Sequence, residues 1–483
     1  MARFGKDMVI YATADLLGSS IGLVLSPIFT RLLTPAQYGA QAALGAIWSF
    51  VALAQFGGMD SAYPNFRSRT SDEDERRRLR VTASFIAVIS AVVVSGAFGA
   101  VGLLTSWITA FAGVSQRELL GYVLTLAPGA IVGWFLYVLR YERRAMAFAG
   151  VSLLGRVVGA IVLIPVMLVT VQSERLWVGF LISAVVSALA AVLGWWTLAR
   201  GGLTPFAARL FDRAEARAMF RFGIVLVPGF AIYATSTVLD RLLVTWFAGP
   251  SETAVLALAL RLGAVATMLR TWFALVWDPQ LIEWIPTLSR DALLARLQDA
   301  KELIARVGAV LVGMAAVWTQ PVVTLLYPQE YWATIPLVPW IVLGVAVSAL
   351  SLVAVATTTM ARISKLHLPV YIIGLALNLG VGWWWVPKIG AAGAVAGAVV
   401  AEAGILGCWI FVGTRYLKNL PLAWLRTWLI LIVAAALVVA YRPGFLPFGG
   451  VWAERILASV VVLLLFGIPL GRRLWEYRLN HTG

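Results

Sequence analysis

Long uninterrupted apolar runs alternate with short polar, basic segments along the whole chain. A helix that crosses a bilayer needs about 20 predominantly apolar residues, and about 14 runs approach that length. They begin near Met8, Tyr38, Val81, Leu119, Ala145, Leu176, Arg221, Thr253, Lys301, Ala333, His367, Ile389, Leu422 and Trp452. The runs are continuous rather than alternating apolar and polar, which excludes a membrane β-barrel. The pattern therefore predicts an all-α polytopic membrane protein. The connections are short, and none is long enough to fold as a separate domain. The longest are polar and basic, and are expected to extend neighbouring helices or form amphipathic surface turns.

Composition agrees with this reading. Of 483 residues, 61% are hydrophobic and 13% charged. A soluble domain is about 45–50% apolar and about 25% charged, so the excess must face lipid. The net charge of +15 would suggest nucleic acid in a soluble protein. Here the basic residues sit in short loops and act as topology signals, so no nucleic-acid partner is expected. With the N-terminus in the cytoplasm, about 28 of the 38 Lys and Arg residues fall on the inside. They include Arg3, Lys6, Arg67 to Arg80, Arg140, Arg143, Arg144, Arg200 to Arg221, Arg290 to Arg306, Arg362, Lys365, Arg415 to Arg426 and Arg472 to Arg478. Outside loops carry Arg31, Arg117, Arg175, Lys388, Arg442 and Arg455. Both termini are then cytoplasmic, and no cleavable signal peptide is evident. The single cysteine, Cys408, excludes an internal disulfide, and His367 and His481 alone make no metal cluster. No metal or other cofactor is expected. Trp107, Trp177, Trp246, Trp284, Trp332, Trp452 and Trp475 lie toward run ends as interfacial anchors. Trp383, Trp384 and Trp385 mark an interface or, in the alternative, a stacking site for sugars.

The stretch Arg221 to Gly263 stands apart. It crosses a bilayer twice with a turn at Gly249, Pro250 and Ser251, yet carries Asp240, Arg241 and Arg261 among apolar residues. A charge at membrane depth costs a few kcal/mol or more unless it meets a partner or a wet cavity. This hairpin is therefore expected to wall a polar transport path. A faint repeat joins Thr30-Arg31-Leu32-Leu33-Thr34 to Asp240-Arg241-Leu242-Leu243-Val244. Six runs separate the copies, so the halves would be parallel repeats.

Several motifs resemble the polysaccharide (O-antigen, Wzx-type) flippases of the multidrug/oligosaccharidyl-lipid/polysaccharide (MOP) exporter superfamily. They are Phe29 through Gly39 (Phe-Thr-Arg-Leu-Leu-Thr-Pro-Ala-Gln-Tyr-Gly); Phe222 through Pro228 followed by Leu239-Asp240-Arg241; Tyr327 through Trp332 leading into Ile335-Pro336; and Ile372-Ile373-Gly374 with Asn378, then Val386 through Ala394. The chain departs from the family pattern at Ala254, Leu256 and Gly382. The resemblance implies a MATE-like fold of two six-helix bundles around a central cavity plus two C-terminal helices. The divisions would be 1–200, 201–414 and 415–483. It also implies translocation of polyprenyl-diphosphate-linked sugars across the cytoplasmic (inner) membrane for O-antigen, lipopolysaccharide or other polysaccharide synthesis, with no enzymatic step. Polysaccharide polymerase machinery is the implied protein partner.

The residues themselves supply candidates. Arg156 lies about 16 Å into the fifth run at 1.5 Å per residue, near mid-membrane. It either faces a cavity or pairs with a carboxylate. Arg261 is similarly deep. Arg270 lies toward the inner end, where its stem can snorkel. Arg241 meets anionic headgroups or, with Asp240, forms interhelical salt bridges at a gate. Arg156, Arg241, Arg261 and Arg270 make up the expected substrate path, because guanidinium grips phosphate oxygens as a bidentate fork and stays charged. Glu402, Asp15 and Asp240 are candidates for binding the coupling ion, a proton or Na⁺, or for gating; the bland alternative is pairing with an intramembrane Arg. Asp60 and Asp278 sit at run ends with little functional weight. Pro128, Pro165, Pro228 and Pro336 are expected to bend helices.

Competing functions remain open here. Export of small cations predicts an acidic cavity, which the deep arginines oppose. A membrane glycosyltransferase or ligase needs a catalytic carboxylate cluster or metal site, which the short loops lack. A scaffold of a polysaccharide machine is a further alternative.

Overall fold

The computed structural model describes residues 2–203, 206–360, 366–416, 424–441 and 450–468. Among them the chain is helical, with no strand. The helices are α1 (Ala2–Leu32), α2 (Pro35–Val51), α3 (Met59–Arg67), α4 (Glu73–Thr105), α5 (Trp107–Ala112), α6 (Gln116–Tyr141), α7 (Ala145–Val169), α8 (Arg175–Arg200), α9 (Arg213–Thr287), α10 (Arg290–Leu326), α11 (Leu337–Met360), α12 (His367–Ile389), α13 (Ala391–Tyr416), α14 (Trp424–Ala440) and α15 (Gly450–Val462). Among the described residues ten stretches are long and apolar enough to cross a membrane, and Ser20–Leu32 and Trp424–Ala440 are shorter apolar helices. Val24 is 70% exposed, Leu104 and Val169 85% and Leu325 76%. Such broad apolar exposure is stable only with hydrocarbon as the surrounding solvent.

Polar residues set the helix ends. Thr34 caps α2, accepting a bond from the Gln37 amide while the Gln37 side chain accepts one from the Thr34 amide, with Pro35 in the first turn. Thus the first motif is a helix-start signal. Gln37 also donates to the Gln172 carbonyl and Arg175 to the Leu32 carbonyl, fastening this turn to the α7–α8 connection. Asp72 and Ser289 cap α4 and α10 ahead of their apolar runs. The basic connections there are helix extensions. Pro128 and Pro165 lie inside helices, but Pro336 stands in the turn before α11. It starts a helix instead of bending one. The side chains of Pro228 and Asp278, and residues Arg362, Lys365, Arg442 and Arg472 to Arg478, lie outside the described residues.

The chain divides into two compact units. The first comprises Met1–Val238 and Gly249–Ser251, the second Leu239–Ala248 and Glu252–Gly483. The core of the first is built from Met59, Tyr63, Trp134, Phe135, Leu198 and Met219. Between α2 and α3 the backbone breaks at Gly57 and Gly58, both with positive φ. Gly58 lies against Gly223 at the start of α9: a Cβ on Gly58 would sit 2.4 Å from the Gly223 carbonyl carbon.

A buried ionic knot closes one end of this unit. Glu142, at the end of α6, accepts from Tyr63, from Arg67 through Nε and Nη2, and from Arg80. Arg80 is 3% exposed. Burial alone would raise the Glu142 carboxyl, but the Arg67 and Tyr63 hydrogen bonds and the Arg80 charge outweigh it and hold it below its ordinary range. Part of the basic cluster from Arg67 to Arg80 is therefore structural. Glu142→Gln leaves two arginines without their charge partner and is expected to cost about 3–5 kcal/mol. Because the folded carboxyl titrates low, its stabilisation is full above about pH 4.3, the ordinary glutamate value, and is lost as pH falls through the depressed one. Thermal unfolding in detergent from pH 7 downward checks this. The gap between wild type and Glu142→Gln should close at the acid end, and a gap unchanged with pH would contradict it.

In the second unit the core joins α9, α10, α11, α12, α13 and α14 through residues such as Leu256, Leu297, Leu350, Val386 and Trp409. The two halves of α9 meet at Gly249, φ +84°. Glu252 reaches across to accept from the Ala391 amide and so satisfies the start of α13. Gly390, φ +58°, lies against that carboxylate. The tight pairing of α12 with α13 rests on Gly393 and Gly397, whose faces touch the backbone of Trp385 and the side chain of Asn378.

Candidate functional site

Two groups of polar residues lie at membrane-helix depth, one in each unit. In the first, Arg156 projects from the middle of α7 toward α1. Its guanidinium occupies the space over Gly18, where a Cβ would fall 1.2 Å from Nη1. Arg156 is exposed, and among the described residues no hydrogen bond or ion pair reaches it. The side chain of Asp15, on the same α1, lies outside the described residues. Hydrocarbon cannot solvate a guanidinium, so the face of α7 that carries Arg156 requires water, an anion or a carboxylate.

The second group depends on helix register. Gly263 of α9 lies against Ile341 of α11, a Cβ there being 2.5 Å from Ile341 Cγ2. Further along, Trp277 Nε1 donates to the Leu352 carbonyl at 3.3 Å. These two contacts bring Arg270 level with Ser348. Gly344 lies against Val399 of α13, a Cβ there being 3.4 Å from Val399 Cγ2, which sets Glu402 at the Ser348 level. Gly382 of α12 lies against Leu243 of α9, a Cβ there being 2.7 Å from Leu243 Cδ1, and Gly397 lies against Asn378, a Cβ there being 2.8 Å from Oδ1. Asp240 and Asn378 thereby reach the same depth. Four helical segments that are far apart in sequence deliver Asp240, Arg270, Ser348, Asn378 and Glu402 to one level.

Within this level Asn378 faces the Asp240 carboxylate, and the charges of Arg241 and Glu402 both act on Asp240. Ser348 lies against Glu402, and Arg270 is the cation whose charge acts on it. Oδ1 of Asp240, Oδ1 of Asn378 and Nε of Arg270 are sealed from solvent without a hydrogen-bond partner. Buried polar atoms left unsatisfied are costly, about 1–3 kcal/mol each. An unsatisfied carboxylate oxygen suits a proton or a small hard cation, an unsatisfied amide oxygen suits a cation, and an unsatisfied guanidinium nitrogen suits an anion. Arg241 and Arg261 are half-buried on α9. No hydrogen bond or ion pair reaches Arg261 among the described residues. Of the seven candidates, then, Asp240, Arg241, Arg270 and Glu402 belong to one cluster, and Arg156 stands apart in the other unit. Ser348 had no signal in sequence, being one serine in the apolar run of α11. Asn378 was visible only as part of a motif.

A family model described as "Polysaccharide biosynthesis protein" matches residues 4–283. Among solved structures, the lipid II flippase MurJ in an inward closed conformation aligns with TM-score 0.69 at 14% identity, covering 96% of this chain and 99% of that one. An inward-facing multidrug resistance MATE family transporter of the MOP superfamily aligns with TM-score 0.62 at 13% identity, covering 89% and 96%. At these identities the likeness establishes the fold, which is MurJ- and MATE-like. No curated protein matches the chain by sequence.

Proposed function

Because the chain belongs to the polysaccharide biosynthesis protein family, we propose that it is a flippase for polyprenyl-diphosphate-linked oligosaccharides, working by alternating access. The observation that carries this reading is Arg156: an exposed guanidinium in the middle of an apolar helix, with no described partner. A diphosphate is the natural complement of such a group, because its oxygens take the fork of guanidinium N–H donors. Arg241, Arg261 and Arg270 extend the cationic path along α9. The lipid tail stays in the bilayer while the headgroup follows the arginines, so no bond is made or broken and the protein is not an enzyme in this reading. Asp240 and Glu402 bind the coupling ion, a proton or Na⁺; the unsatisfied oxygens of Asp240 and Asn378 support that assignment. Residues 1–200 and 201–414 act as the two moving bundles, with 415–483 as an added helix pair. The membrane is the cytoplasmic (inner) one, with both termini in the cytoplasm, as the Lys and Arg distribution supports.

Reconstitution into vesicles with a panel of lipid-linked sugars tests the reading. Movement of at least one of them across the bilayer is expected, and failure with every lipid-linked diphosphate would overturn it. The MATE fold leaves a second reading, efflux of small cations. That would require Asp240 and Glu402 to outweigh the Arg241 and Arg270 charges that act on them, and drug-stimulated ion flux in the same vesicles would support it. Asp240→Asn is expected to slow sugar-lipid movement at least about tenfold, the scale of 1.4 kcal/mol. It should also abolish the response to an imposed proton or Na⁺ gradient. A gradient response equal to wild type would remove Asp240 from the coupling site.

A further inference from the structure

We propose that Glu402 is a built-in stand-in for the substrate's phosphate, holding Arg270 until a lipid-linked diphosphate takes its place. The proposal rests on the flippase reading and deepens it. Register puts Arg270, Ser348 and Glu402 at one depth through the Gly263–Ile341, Trp277–Leu352 and Gly344–Val399 contacts. The cation acting on Glu402 is Arg270, and Ser348 lies against the carboxylate. Yet no ion pair forms between Arg270 and any described carboxylate, and Nε of Arg270 is sealed without an acceptor. The charge of Arg270 thus acts on Glu402 while its Nε is left without an acceptor. Glu402 contributes one negative charge without an ion-pair contact. A diphosphate contributes more charge and several oxygens that can accept from Nε and both terminal nitrogens at once. Exchange of the weak internal anion for the strong external one is therefore favourable when substrate arrives.

The exchange also has a consequence for the ion-binding residues. Glu402 acts on Asp240 as a like charge. When Arg270 turns to the substrate, Glu402 loses its compensating cation, and the Asp240–Glu402 pair becomes a stronger site for a positive ion. Substrate and ion then favour each other by the reciprocity of linked binding, although they touch different residues. Ser348 is a positioning residue here, orienting Glu402 toward Arg270.

Binding of a sugar-free polyprenyl diphosphate to the full chain in nanodiscs, with polyprenol as the neutral control, tests the exchange. Glu402→Gln removes the competitor and is expected to tighten diphosphate binding about tenfold, 1.4 kcal/mol, with polyprenol unchanged. In an Arg270→Gln background the same substitution should have no effect. Ser348→Ala should shift affinity in the same direction by a smaller factor, which keeps the test usable if Glu402→Gln does not fold. Additive effects of the Glu402 and Arg270 substitutions, or equal changes for diphosphate and polyprenol, would overturn the exchange while leaving the flippase reading intact. Wild-type protein that binds diphosphate no better than polyprenol would overturn the diphosphate reading itself.

Discussion

Vesicles carrying the Arg156→Gln, Arg261→Gln double variant are expected to move no lipid-linked sugar above the protein-free background. The variant should still insert and unfold at the wild-type temperature. Each guanidinium is expected to give a diphosphate about 1.5–3 kcal/mol through charged hydrogen bonds. Removal of both therefore raises the crossing barrier by about 3–6 kcal/mol, or roughly 10²–10⁴ in rate. Stability should not suffer, because among the described residues no hydrogen bond or ion pair holds either side chain. Lysine at both sites keeps the charge but loses the planar fork, so partial activity is expected. Gly18→Leu offers an independent route to the same result, since the space over Gly18 is filled by the Arg156 guanidinium. It should impair transport with Arg156 still present. Wild-type rates in the double variant would end the cationic-path idea.

Gly223→Val is expected to prevent stable folding of the first unit, costing about 4 kcal/mol or more, the range of severe backbone and packing defects. A Cβ at Gly223 would lie 2.5 Å from the Gly58 carbonyl oxygen, and that neighbour is backbone, which cannot swing aside. A substitution at Gly58 would be strained as well, since its φ of +76° favours glycine. The clash would push the start of α9 away from the α2–α3 break, disturbing the contact of Phe66 with Phe222 at 5.9 Å between ring centroids. Loss of monodisperse protein on detergent extraction, or a melting midpoint far below wild type, would show this. A variant with normal yield and melting would mean the two segments can separate without cost.

Much of the fold was legible in the chain because the bilayer imposes a simple rule. Without water in hydrocarbon, every spanning segment must satisfy its own backbone, so helix number and spacing follow from the apolar runs. Ala145, Leu176 and His367 were placed at or beside the observed helix starts for that reason. The starts of α4 at Glu73 and α10 at Arg290 were less visible, since charged residues extend both helices beyond the apolar part. Motif glycines and prolines were recognisable, but their purposes were not. That Gly58 and Gly223 abut, that Gly390 receives Glu252, and that Pro336 begins a helix are facts of packing.

The candidate charges were legible one by one, because a lone Arg or Asp in an apolar run is conspicuous. Which of them act together was hidden. Asp240, Arg270 and Glu402 lie on segments separated by long stretches of chain, and only the register of α9 against α11, and of α12 and α13 against each other, brings them level. Ser348 carried no mark at all. By itself the sequence determined the membrane class, the helical periodicity and the place of each charge along its apolar run, since these depend on local hydropathy along one dimension. The tertiary structure alone decided which charges neighbour one another, because that depends on interhelical contacts between residues that share no local pattern.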